Sequence, residues 1–269
     1  MRVAVPVFAL GMLASGLAAC GGTQVPYVGG PPATPPPAMP APAAAPAPAA
    51  ALAATRDLKA EHKAAYDRAT ALAARGELWP AFRELEPFAA ATATATHDEL
   101  AYWIHNELTW LRWGRGDLRE ALDETNAGSR ALDRSALPPD AVASMRLHAL
   151  WDRAYLLEEL RDPGADGAFA AYETLAKAKD DHDGLAVLTA FFAAHRQKGA
   201  DAMAAAARVD VDKDSDLQDL YVIALAFDAG GDRPRAQAVR ERLCKGNEYL
   251  MKPLILKQMH REGFDCPAP

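Results

Sequence analysis

The chain has 269 residues, half of them hydrophobic, with 29 basic and 36 acidic side chains. Apart from Arg2 every charge lies beyond residue 55, so the remainder carries 28 basic and 36 acidic groups, a net of −8. That balance argues against nucleic acid, which needs a basic stripe, and against a polybasic membrane contact, while about 214 residues suffice for one domain with a real core.

Residues 1–19 read as an export signal. Arg2 supplies a single positive charge, and Val3 to Leu17 is apolar apart from Ser15, too short for the about 20 residues of a membrane span. The quartet Leu17-Ala18-Ala19-Cys20 resembles the lipobox of bacterial lipoproteins. The resemblance implies that Cys20 is lipidated on its thiol, becomes the first residue after cleavage and is acylated again, which anchors the protein stably. Gly21 follows, where an aspartate would imply retention in the inner membrane; the family pattern therefore implies the outer membrane. The competing reading is an ordinary secretory signal with an incidental cysteine.

Residues 20–55 cannot build a core. Ten of the 20 prolines fall between Pro26 and Pro48, and alanine offers little surface to bury. Extended as polyproline, residues 21–51 would reach roughly 95 Å, and as a flexible coil nearer 30 Å. This segment is expected to be a disordered tether, with a docking site for a polyproline-binding module as the sharper alternative.

Residues 56–269 are expected to be all helix. Isoleucine occurs only at 104, 223 and 255, while alanine, leucine, glutamate and arginine abound. Thr96-x-x-Glu99 and Ser215-x-x-Gln218 fit capping boxes, and Asp140 after Pro138-Pro139 reads as a cap. The helices come in pairs. Leu220, Ile223, Ala224 and Phe227 form one stripe, Gly231-Asp232 breaks the chain, and Ala236 falls where a second helix approaches closely. This spacing resembles the tetratricopeptide repeat. Weaker copies lie at Ala65, Ala69, Leu72, Gly76, Ala81 and Leu85, around Gly116-Asp117 and Ala121, at Leu150, Ala154 and Leu157 with Ala168 and Tyr172, and around Gly199 and Ala204. Turn glycines stand 40 residues apart from Gly76 to Gly116 but 32 from Gly199 to Gly231, so the array is irregular. The resemblance implies antiparallel helix hairpins in a solenoid with an extended groove for a helix or peptide; the alternative is an irregular bundle of the same hairpins.

The helix beginning at Asp98 carries two stripes. Leu100, Ile104, Leu108 and Leu111 form one; Trp103, Trp110 and Trp113 form a second, roughly 130° away. Either the helix is buried on two sides, or Trp103, Trp110 and Trp113 with Tyr102 line a partner groove, since tryptophan and tyrosine anchor interfaces.

Several strings mislead. Arg115-Gly116-Asp117 coincides with an inter-helix turn. Asp210, Asp212, Asp214 and Asp216 alternate like a calcium loop, but Ser215 stands at the glycine position and Tyr221 where a bidentate glutamate belongs. No nucleophile elbow, zinc-protease motif, phosphate loop or C-x-x-C is present, and the seven histidines are scattered, His97 and His105 being the nearest pair. No catalytic residue, cofactor or metal is therefore assigned. With Cys20 lipidated, Cys244 and Cys266 remain, an even number for an oxidising compartment. A bridge would enclose a final helix started by Pro253 and pin it over the end of the solenoid; free thiols are the alternative.

The expectation is an outer-membrane lipoprotein, facing the periplasm rather than displayed on the surface, that scaffolds other envelope proteins or peptides. An envelope hydrolase or carbohydrate-binding protein is the alternative, favoured by a cleft gathering Glu, Asp or His. An aromatic, uncharged groove favours the scaffold.

Overall fold

The computed structural model describes residues 57–92, 98–213, 216–246 and 250–266. The chain divides into two units, Met1–Ala53 and Ala54–Pro269, and all described residues belong to the second. Cys20, the signal and tether segments, Thr96, His97, Asp214 and Ser215 lie outside the described residues.

The described residues are all-α, in eleven helices: α1 Leu58–Ala74, α2 Leu78–Ala91, α3 Asp98–Arg115, α4 Leu118–Asp133, α5 Pro139–Glu159, α6 Ala165–Ala178, α7 His182–His195, α8 Gly199–Ala206, α9 Leu217–Ala229, α10 Arg233–Lys245 and α11 Met251–Arg261. The first ten form five antiparallel hairpins, each packing on the next in chain order. None of the described helices is long and apolar enough to cross a membrane.

One turn recurs in all five hairpins. Gly76, Gly116 and Gly231 adopt φ of 78°, 91° and 84°, and Arg161 and Gln197 hold the equivalent left-handed position at 52° and 60°. After each, a backbone N–H reaches five residues back: Glu77 to Leu72, Asp117 to Arg112, Asp162 to Leu157, Lys198 to Ala193 and Asp232 to Phe227, at 2.8–3.0 Å. This is the Schellman closure of a helix end. The fourth turn thus sits at Gln197, not at Gly199. Gly199 instead opens α8 where the chain end of α9 comes closest, and a Cβ there would stand 2.0 Å from the Ala229 carbonyl oxygen.

At the start of α9 Asp216 accepts from the Gln218 and Asp219 N–H groups, the expected cap Ser215 lying outside the described residues. One expected cap moves. Pro138 precedes α5, which begins at Pro139 and takes Asp140 into its first turn. Proline at the first helical position has its φ preset and loses no hydrogen bond, so it starts the helix one residue earlier than the acid.

The core runs continuously through the hairpins. Small residues set the close crossings: Ala65, Ala69, Ala81, Ala121, Ala154 and Ala236 are wholly buried. The C-terminal helix does not cover the solenoid's end as expected. α11 packs on α1, α3 and α9 together. Its Leu254, Ile255 and Met259 are buried, Leu254 sits in the space left by Gly114 of α3, the Leu250 N–H donates to the Tyr66 hydroxyl of α1 at 3.3 Å, and the Tyr221 hydroxyl of α9 donates to Glu262 at 2.6 Å. Cys244 and Cys266 form a disulfide, with Cα atoms 5.6 Å apart, that joins α10 to the segment after α11.

Candidate functional site

The two stripes of α3 meet different surroundings. Ile104, Leu108 and Leu111 are buried in the main core. On the other side Trp110 and Trp113, 4 % and 7 % exposed, pack against Tyr155 of α5 with ring centroids 6.0 and 6.4 Å away. Trp113 also meets Tyr221 of α9 at 6.3 Å. This aromatic seam ties α3, α5 and α9 together. Tyr102, 2 % exposed, belongs to a smaller cluster with Leu132, Met145 and Ala149. Trp110, Trp113 and Tyr102 therefore do not line an open groove; the two-sided burial holds for them. Trp103 differs. It is 38 % exposed and stands edge-on to Tyr102 and to His148 of α5.

His148 opens onto a cleft of about 430 Å³. One wall is a face of α5: Leu147, His148, Trp151 and Asp152, which neighbour one another at helical spacing. Facing it are Tyr172 of α6, Asp181, Asp183 and Gly184 at the start of α7, and Lys213, Asp216, Gln218 and Asp219 at the start of α9. The cleft thus gathers five aspartates against one lysine.

Each carboxylate has a distinct environment. Asp152 is 5 % exposed and accepts from Asn106 of α3 at 2.8 Å. Burial, followed by the negative charge of Asp216, pushes its carboxyl up to about 8, so it is predominantly protonated at neutral pH. Asp181 caps α7 through the Gly184 N–H at 3.2 Å and accepts the Tyr172 hydroxyl at 2.7 Å. A side chain at position 184 would collide with both, since its Cβ would stand 2.6 Å from the Tyr172 oxygen and from one Asp181 oxygen. Burial and Asp181 push the Tyr172 phenol well up, so it remains a donor. Asp183 is exposed, and Lys213 is held by Asp210 at 2.8 Å.

The sequence-predicted alternation of aspartates is broken up by these contacts. Asp210 pairs with Lys213, Asp212 with Arg242 at 3.2 Å, and Asp216 caps a helix. Sequence reasoning missed Asp152 and His148. The available signal was Asp152 on α5, four residues before the core Leu156 and three after the core Ala149, a polar group on an apolar stripe.

Chemically, exposed carboxylates beside a tryptophan suit a cation. Carboxylates take the fork of an arginine, and the indole face attracts its charge. A carboxyl with a raised pKa beside other carboxylates could also serve as an acid next to a base. Comparison with protein-family models, with curated proteins and with solved structures finds no match.

Proposed function

We propose that the protein is a lipid-anchored adaptor of the bacterial cell envelope, fixed to the outer membrane through Cys20 and facing the periplasm, with a degenerate tetratricopeptide-like domain that binds other envelope proteins or peptides. The observation that supports it best is the acidic cleft between α5, α7 and α9 with Trp103 beside it, exposed on an otherwise buried aromatic helix. The partner segment is basic: an arginine or lysine enters among the aspartates and stacks on Trp103. The cleft is thus not the aromatic, uncharged groove expected of a scaffold. Its five aspartates with His148 are the feature that counts toward the hydrolase or carbohydrate-binding alternative. The exposed Trp103 beside the carboxylates favours an adaptor with a basic partner segment.

The test uses fluorescent peptides of one scrambled composition in lysine/arginine and glutamate forms. Binding of the basic form alone, weakened by salt and lost in Trp103→Ala and Asp183→Lys, supports the reading. Both positions are exposed, so each variant should keep its helical circular dichroism within about 0.5 kcal/mol of stability. Equal binding of both forms, or none, sinks it.

A second reading has its own observation. Asp152, its carboxyl pushed up to about 8 by burial, shares the cleft with four other aspartates, the kind of carboxyl grouping that a glycan hydrolase or carbohydrate-binding site draws on. Glycan cleavage lost in Asp152→Asn would favour it over the adaptor.

A further inference from the structure

The end of α1 and the length of α11 enclose a second groove, of about 550 Å³, far from the acidic cleft in sequence. Its lining includes Ala74, Pro253, Leu256 and Phe264, with Lys257 as a charged member. α11 carries Lys252, Lys257 and Arg261 and no acid between Met251 and Arg261, against the negative balance of the domain. Lys252 is engaged, its ammonium donating to the Gly246 carbonyl at 2.7 Å. Among the described residues neither Lys257 nor Arg261 meets a carboxylate; Arg261 reaches the neutral Gln258 at 3.4 Å. The acid in the lining, Asp265, is exposed and lies within hydrogen-bond reach of the His260 ring rather than of Lys257 or Arg261. Partial burial, then the charge of Arg261, holds the Lys257 ammonium below its usual range. Two neighbouring cations without a carboxylate partner therefore stand at a mostly apolar trough, Lys257 within its lining and Arg261 one helical turn further on, outside it.

We propose that this groove binds a single-chain anionic amphiphile, its acyl chain lying along Leu256 and Phe264 and its acidic head on Lys257 and Arg261. The volume lies within the roughly 300–1,000 Å³ of small-molecule sites, and the combination of apolar walls with a few polar groups is theirs too. An extended peptide is a poorer occupant. The two main walls are helices whose backbone groups are already paired internally, leaving no ladder for a strand. Phe264 is fixed as the outer wall because the Cys244–Cys266 disulfide holds the chain two residues beyond it.

The experiment titrates the purified protein with monomeric fatty acids from decanoate to palmitate, read by calorimetry. Affinity should rise about fourfold for each added methylene until the groove is full. Lys257→Glu should weaken every member about tenfold or more. Ala74→Trp, at an exposed helical position, should fill the trough and abolish binding with circular dichroism unchanged. An affinity independent of chain length, or untouched by Ala74→Trp, overturns the proposal. So does binding to phosphatidylglycerol vesicles without any to the monomers, which would make the cations a contact for a charged surface. None of these outcomes depends on the basic-peptide reading of the other cleft.

Discussion

Asp152 occupies a position that the periodicity of α5 reserves for an apolar side chain, and its carboxyl titrates accordingly. The folded pKa, about 8, lies above the unfolded value, so the unfolded chain loses this proton first as pH rises. Stability is therefore highest below the unfolded pKa, falls between about pH 4 and 8, and is flat beyond. Asp152→Asn retains an acceptor for Asn106 and removes the charge. It should raise the melting temperature at pH 8 by at least about 2–4 °C and leave it unchanged at pH 4, measured by calorimetry. The same stripe analysis explains what was legible at this scale. Trp110 and Trp113 announce a second buried side of α3, but spacing cannot say whether a partner or another part of the chain covers it. The cover is Tyr155 and Tyr221, which are 42 and 108 residues further on than Trp113.

Helices and their pairing were readable because local rules decide them: strong helix formers, small residues at crossings, and glycines at three of the five turns. Of the other two, the turn between α5 and α6 was announced by the lengthened Asp162-Pro163-Gly164 stretch just after Arg161, and the turn before α8 was misplaced. Arg161 and Gln197 adopt the left-handed conformation without the residue that usually marks it, so Gly199 drew the assignment two positions too late. These residues carry a backbone cost that glycine would not. Gln197→Gly should accordingly stabilise the domain by about 0.5–1 kcal/mol in urea unfolding. Gly199→Ala should do the reverse by about 1–3 kcal/mol, because the obstructing Ala229 oxygen belongs to a backbone and cannot swing away. Equal effects at the two sites would mean that the turn lies elsewhere. The cleft itself was not legible, since its members come from α5, α6, α7 and α9 and meet only through the stacking of hairpins.

At the scale of the whole domain, α11 is the element that the repeat pattern could not place. A last helix is expected on the last hairpin, yet α11 reaches α1 and α3 because Gly114 leaves room for Leu254 and because Leu250, Ile255 and Met259 need burial. Reducing the Cys244–Cys266 bridge should lower stability by about 3 kcal/mol in the chain-entropy model. Thiol titration of the denatured, unreduced protein should find both sulfurs unreactive. A loss well under 1 kcal/mol on reduction would show that packing alone holds the helix. The placement of α11 also bears on how the chain acquires its structure. In an open stack of repeats each hairpin depends only on its neighbours, so folding can start anywhere and ends can fray independently. Here α11 completes the surroundings of α1, so a chain emerging N-terminus first cannot finish packing the α1–α2 hairpin until α11 has followed it.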